Sequence, residues 1–204
     1  TPTPTPTPSP TPTEAPSASA DPRPDPRPDA AELVLSPSGL GPLTVGLPAE
    51  GNPGAAMISW DPDHCAGMAE PGVDPGRWVA EGYGPATRVD GSPAEQLFAV
   101  GTDEAGVVVW IDVYGTEPRT PEGVGVGSTL AEVLAAYPDA GGPFAGPLSE
   151  VRWVTTADGV LVLETALDDP SEPDGVVVLA RVLAPGSDPA FATWRTDWTA
   201  GGCL

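Results

Sequence analysis

The chain has 204 residues, with 29 Asp and Glu against eight basic residues, a formal net charge of -21 and a pI near 4.1. Every basic residue is Arg, and Arg23, Arg27, Arg77, Arg88, Arg119, Arg152, Arg181 and Arg195 are scattered among acids, whereas a phosphate backbone is held by clustered cations; nucleic acid and anionic membrane surfaces are therefore excluded as partners. No run of about eighteen apolar residues occurs, which excludes a transmembrane helix.

Residues 1–30 (TPTPTPTPSPTPTEAPSASA, then DPRPDPRPDA) have nothing apolar to bury, and their alternating Pro blocks helix and ladder hydrogen bonds. They read as a disordered, polyproline-biased tether that spans up to about 90 Å when extended. A chain that starts in such a repeat, without Met, is expected to be a trimmed, exported form. From residue 31 the composition turns to Val, Leu, Trp and Gly, and 31–204 is the size of one globular domain.

Within it, Leu33-Val34-Leu35 and Leu43-Thr44-Val45 are short apolar runs between Gly and Pro, expected as edge strands or ordered loop. Pro48, Gly51, Pro53 and Gly54 restrict any helix before residue 60 to Ala55–Ser59. Strands are predicted at Arg77–Ala80, Ala86–Val89 and Leu97–Val100. The strongest run is Gly106–Tyr114, where Val109, Ile111 and Val113 are expected on the core face and Trp110, Asp112 and Tyr114 on the other.

One helix is specified by several signals at once. Thr129 and Glu132 have capping-box spacing, Leu130, Val133, Leu134 and Tyr137 form an apolar stripe, and Pro138 stops the segment. A helix this short is marginal alone, so its stripe must rest on a sheet. Strands follow at Glu150–Thr156 and Val160–Glu164, with Asp158-Gly159 as the hairpin signal, and at Gly175–Ala184. The fold class is α+β: one or two helices packed on a twisted, mostly antiparallel sheet.

The two halves also match in order. Val45-Gly46 answers Val126-Gly127 at an offset of 81, Arg77-Trp78-Val79 answers Arg152-Trp153-Val154 at 75, and Gly106–Val109 answers Gly175–Val178 at 69. The shrinking offsets describe either a degenerate tandem repeat or coincidence in a Val- and Gly-rich chain.

Val126-Gly127-Ser128-Thr129-Leu130-Ala131-Glu132-Val133 resembles the Gly-x-Ser/Thr-x-x-Glu-Val helix start of SmpA/OmlA-like and β-lactamase-inhibitory-protein-like domains. The longer stretch EGVGVGSTLAEVLAAYP, with a Cys near the end, is similar to functionally uncharacterised exported proteins and lipoproteins of high-GC Gram-positive bacteria. The resemblance implies helices followed by an antiparallel sheet, in some members as a tandem, and an extracytoplasmic setting. The first half departs from it, because Pro48, Gly51 and Pro53 fall where the capped helix would run. No inhibitory contact residue of that family maps onto this chain.

Chemistry-bearing patterns are sparse. His64 is the sole histidine and no Ser has an elbow motif around it. Asp61-Pro62-Asp63-His64 and residues 168–174 do not fit EF-hand spacing and read as solvated acidic loops. No cofactor or metal is expected. In an exported chain Cys65 and Cys203 are expected to form one disulfide, the alternatives being free thiols or a Cys65–His64 pair. Trp78, Trp110 and Trp153 are expected in the core. Trp60, Trp194 and Trp198, near the two cysteines, make either an apolar plug around the bridge or an exposed patch for a protein or cell-wall glycan. The expected role is a monomeric, stalk-tethered binding or structural domain outside the cytoplasm. The other readings are a carboxylate-based cell-wall hydrolase and an inhibitor of a secreted enzyme.

Overall fold

A computed structural model describes residues 27–67, 75–94, 96–146, 148–167 and 174–189. In chain order, a 3-10 turn at Ala30–Glu32 precedes three two-residue strands, β1 (Leu35–Ser36), β2 (Gly39–Leu40) and β3 (Leu43–Thr44). A second 3-10 turn, Ala55–Met57, leads into β4 (Ile58–Asp61), then β5 (Arg77–Ala80), β6 (Ala86–Thr87), β7 (Pro93–Ala94), β8 (Phe98–Thr102) and β9 (Val108–Val113). Helix α1 (Leu130–Ala136) is followed by β10 (Gly141–Ala145), β11 (Ser149–Thr156), β12 (Gly159–Ala166) and β13 (Val177–Leu183). This is a mostly antiparallel β structure with one α-helix among the described residues, in keeping with α+β. No helix among them is long and apolar enough to cross a membrane.

The large sheet has eight strands in the order β10-β11-β12-β13-β9-β8-β5-β4, all antiparallel. It is thus two four-stranded meanders joined along β9 and β13. On one face lies the main core, in which Val133 of α1, Leu35, Leu40 and Leu43 of the small sheet, and Met57 pack on strand residues such as Leu161 and Ile111. The small sheet achieves this with a single row of leucines, since Leu35 faces Leu40 and Leu40 faces Leu43 across the ladders.

The two meanders meet their preceding loops through the same hydrogen bonds. The Gly46 N–H donates to Val108 O and the Gly127 N–H to Val177 O, each at 2.7 Å; the Val108 N–H returns to Leu47 O at 2.9 Å and the Val177 N–H to Ser128 O at 2.8 Å. One step on, the Ala49 N–H donates to Gly106 O and the Leu130 N–H to Gly175 O, both at 2.9 Å. Gly46 and Gly127 both have positive φ, 79° and 88°, a conformation that a Cβ would strain. Each meander also shifts register at the corresponding place. Gly101 faces Trp110 but Thr102 faces Val108, while Glu164 faces Leu179 but Thr165 faces Val177, so Val109 and Val178 are extra residues.

The capped helix forms as predicted. Thr129 Oγ1 accepts from the Glu132 N–H at 3.2 Å, and the Glu132 carboxylate accepts from the Thr129 N–H at 2.7 Å. Its buried stripe is narrower than expected. Val133 is fully buried, Leu130 and Tyr137 are half-buried, and Leu134 is exposed. Other differences have local causes. The extra residue at Val109 changes the phase of β9, so Val108 takes the core face with Ile111 and Val113, and Val109 does not. Asp112 lies on the other face from Ile111 and Val113, as expected, and is fully buried there. Residues 55–57 make a 3-10 turn, while Ile58 and Ser59 belong to β4, whose ladder with β5 outweighs a helix broken by Pro53 and Gly54. The β11–β12 turn is Ala157-Asp158, and Gly159 pairs with Thr156 to open β12, where Pro37 O and Leu183 O leave no room for a Cβ. Strand β6 covers only Ala86–Thr87 of the predicted Ala86–Val89. Trp78 and Trp153, aligned by sequence, lie on opposite faces: Trp78 packs with the main core and Trp153 with the second cluster. That alignment is one residue out of step, which in a strand reverses the side-chain direction.

Domain contacts begin upstream of the boundary expected at residue 31. Arg27 donates to Glu81 O at 3.1 Å and lies 5.8 Å from the Tyr83 ring centre, and Tyr83 Oη donates to Pro28 O at 3.0 Å. Residues 1–26 of the expected tether lie outside the described residues.

Candidate functional site

Among the described residues, a concavity lies where α1 ends beside the outer strands β10 and β11. It has a volume of about 550 Å³ and is lined by Tyr137, Pro138, Asp139, Trp153 and Thr155, among others. Local sequence builds it. Tyr137 closes α1 with its N–H on Val133 O at 2.8 Å, and the following Pro138 turns the chain away. Gly141 then opens β10 opposite Trp153, and a Cβ at Gly141 would collide with the indole, so glycine is what lets the ring lie over the strand. Tyr137 Oη donates to Glu122 Oε2 at 2.6 Å. Burial, then this bond to a carboxylate, pushes the Tyr137 phenol up to about 12, so it is a neutral hydroxyl across the physiological range. The same bond holds Glu122 below its usual carboxyl value. The cleft therefore offers two aromatic rings beside the Asp139 carboxylate and the Thr155 hydroxyl. Sequence reading placed Trp153 in the core and assigned no ligand role to Tyr137. The Gly141/Trp153 juxtaposition depends on the β10–β11 ladder, and Gly141 and Pro143 give little sign of a strand.

Of the residues singled out in the sequence, Trp60 and Cys65 are described, while Trp194, Trp198 and Cys203 lie outside the described residues. Trp60, on the outer strand β4, is 45% exposed and meets Trp78 edge to face at 5.7 Å and 67°. Gly76 lies beneath its ring, again too close for a Cβ. Cys65, in the turn after β4, is 1% exposed with its N–H on Pro75 O at 2.9 Å, and there is no free cysteine among the described residues. His64 approaches Gln96 Nε2 at 3.4 Å through Nε2 and Asp61 Oδ2 at 3.7 Å through Nδ1. Asp61 Oδ1 accepts from the Asp63 N–H at 3.0 Å, a local turn that already occupies one of its oxygens. Among the described residues no group of three or more His, Cys, Asp or Glu side chains is placed to hold a metal ion.

The deepest polar feature is at the seam of the meanders. Asp112 on β9 faces Arg181 on β13, and both Arg181 Nε and Nη2 donate to its carboxylate, the latter at 2.6 Å. Tyr114 Oη donates to Asp112 Oδ2 at 3.4 Å, and the guanidinium sits 5.7 Å from the Trp110 ring centre. Burial opposes the Arg181 charge, but the Asp112 carboxylate, with smaller contributions from Tyr114 and Glu164, more than offsets it, so the guanidinium stays protonated. Elsewhere, Asp90, Glu122 and Glu132 are lowered, first by hydrogen bonds from Ser92, Tyr137 and Thr129 respectively.

No protein family, curated protein or solved structure matches this chain.

Proposed function

We propose that this chain is a stalk-tethered, extracytoplasmic binding module without catalytic activity, whose site is the cleft between the end of α1 and β10–β11, and whose ligand is a cell-wall glycan. The cleft carries this reading. Trp153 and Tyr137 supply aromatic surface for a sugar face, and Asp139 and Thr155 supply polar partners for hydroxyls. The net charge of -21 favours a neutral or cationic ligand. Titration of the isotope-labelled full chain with soluble cell-wall saccharide fragments is expected to shift the Trp153 indole N–H and the amides of 136, 137, 139–141 and 153–155. Shifts confined to other residues, or none at millimolar saccharide, overturn the assignment, and shifts with a cationic peptide alone point to a protein partner instead.

The same proposal includes two structural elements. The meanders are two copies of one unit, a reading supported by the matched hydrogen bonds at Gly46 and Gly127 and by the matched extra residues Val109 and Val178. In that correspondence Asp112 answers Arg181, so the pair stands on the axis relating the copies. Cys65 and Cys203 form one disulfide, supported by the burial of Cys65 and the lack of a free cysteine among the described residues. Thiol titration of the denatured, unreduced chain should find no free thiol; two would overturn the pairing.

A further inference from the structure

We infer that the saccharide taken by the cleft between α1 and β10–β11 is a cationic one, an amino sugar whose amine is free and protonated, held by the aromatic lining with Asp139 as its counter-ion. The inference rests on that cleft being the glycan site, and it adds the charge of what enters. Among the described residues that line the cleft, Asp139 alone is charged; Thr155 is neutral and polar, and the others are aromatic or apolar. Asp139 is exposed on the turn between α1 and β10, while Tyr137 and Trp153 are half-buried. Arg152, next to Trp153 in the chain, is not one of the lining residues, and its Nε donates to Glu150 Oε1 at 3.1 Å. The Asp139 charge is therefore not neutralised from within the lining.

A second carboxylate acts through the tyrosine. Tyr137 Oη donates to Glu122 Oε2 at 2.6 Å. A phenol that donates to an anion gains electron density over its ring, which strengthens the negative face that attracts a cation. With its proton committed to Glu122, the hydroxyl has only lone pairs left to offer, and the Asp139 carboxylate likewise only accepts. These groups select a ligand that donates. An ammonium brings three N–H donors and a positive charge, whereas an acetamide brings one N–H and no charge. A sugar carboxylate brings acceptors alone and would meet Asp139 as a like charge. The net charge of -21 acts in the same direction at longer range, raising the local concentration of a cationic saccharide.

The test titrates the isotope-labelled full chain with two trisaccharides that differ only at nitrogen, one of glucosamine and one of N-acetylglucosamine. It is run at mildly acidic pH, where the amines are protonated, and at physiological ionic strength, which screens the diffuse charge of the chain. The readout is the Trp153 indole N–H and the amides of 139–141. The glucosamine trisaccharide is expected to bind about tenfold more tightly, from an exposed ion pair together with a cation–π contact. Asp139→Asn keeps the size of this exposed side chain and is expected to bring the two affinities close together. Equal affinities in the wild type, or a preference that Asp139→Asn leaves intact, would overturn the inference while the cleft stands as a site for neutral sugars. Absence of shifts at the cleft with either trisaccharide would remove the glycan site itself and the inference with it. A lysine-rich peptide that shifts these signals when neither trisaccharide does would assign the selectivity for positive charge to a protein partner, again overturning it.

Discussion

The segment after Gly127 and the segment after Gly46 begin with the same hydrogen bonds and then diverge. After Gly127, Thr129 caps a helix, Glu132 completes the box and Val133 enters the core. At the corresponding distance after Gly46 stand Pro48, Gly51 and Asn52. Pro48 has no N–H for a capping carboxylate to accept, and Gly51 has no carboxylate to offer. The chain instead turns around Asn52, which is 1% exposed: its Oδ1 accepts from the Thr44 and Gly54 N–H groups at 3.0 and 3.2 Å, and its Nδ2 donates to Thr44 O at 2.8 Å. A loop with the same anchorage can thus fill its place in the core with an apolar helix residue or with an amide held by three hydrogen bonds, and local capping chemistry decides which.

Substitutions test how far that difference runs. The largest effect is expected at the element that the two halves share, where Asp112→Ala removes the carboxylate from beside a largely buried guanidinium and should cost about 3–5 kcal/mol in denaturant unfolding. The two loop inserts come next. Asn52→Ala leaves the Thr44 N–H without its side-chain acceptor and should cost about 2 kcal/mol, and Val133→Ala should cost a similar amount, about 2 kcal/mol, through lost apolar burial. If Asn52→Ala is neutral, the amide is not what organises the first loop. Thr129→Ala removes the cap and should cost about 1 kcal/mol. Its pH dependence has a definite sign. Hydrogen bonds from Thr129 hold Glu132 below its usual carboxyl value, so their stabilising effect is present above the unfolded-state value and is lost as pH falls through the folded one. The variant keeps the backbone N–H bond to Glu132 and loses the hydroxyl's bond to that carboxylate. The gap between wild type and variant should therefore narrow in acid without closing, because the lost bond from the Glu132 N–H to Thr129 Oγ1 does not titrate. Smallest and opposite in sign is Gly51→Ala. No heavy atom lies within 4 Å of its added Cβ and its φ is not positive, so the variant should gain about 0.4–1 kcal/mol by restricting the unfolded chain.

The legible parts were those that local chemistry decides. Thr129, Glu132 and Pro138 bound α1 by themselves, and the Arg77–Ala80 strand follows from its residues. What the sequence hid depends on partners. β10 contains Gly141, Gly142 and Pro143 and is a strand because β11 lies beside it. The face of Val109 follows from a register shift, which belongs to the pairing of two strands and not to either alone. The cleft was hidden for the same reason: Tyr137 and Trp153 come to line one cavity only after the chain has passed through β10 and returned. Trp60 and Cys65 could be singled out as residues, but the Gly76 that admits the Trp60 ring could not.

The Asp112–Arg181 pair also governs which polypeptides can stand in for one another. If either meander were severed and met a copy of itself along the same seam, Asp112 would confront Asp112, or Arg181 another Arg181, in a site closed to water. Two unlike fragments mixed together would therefore recombine with each other in preference to forming like-with-like assemblies.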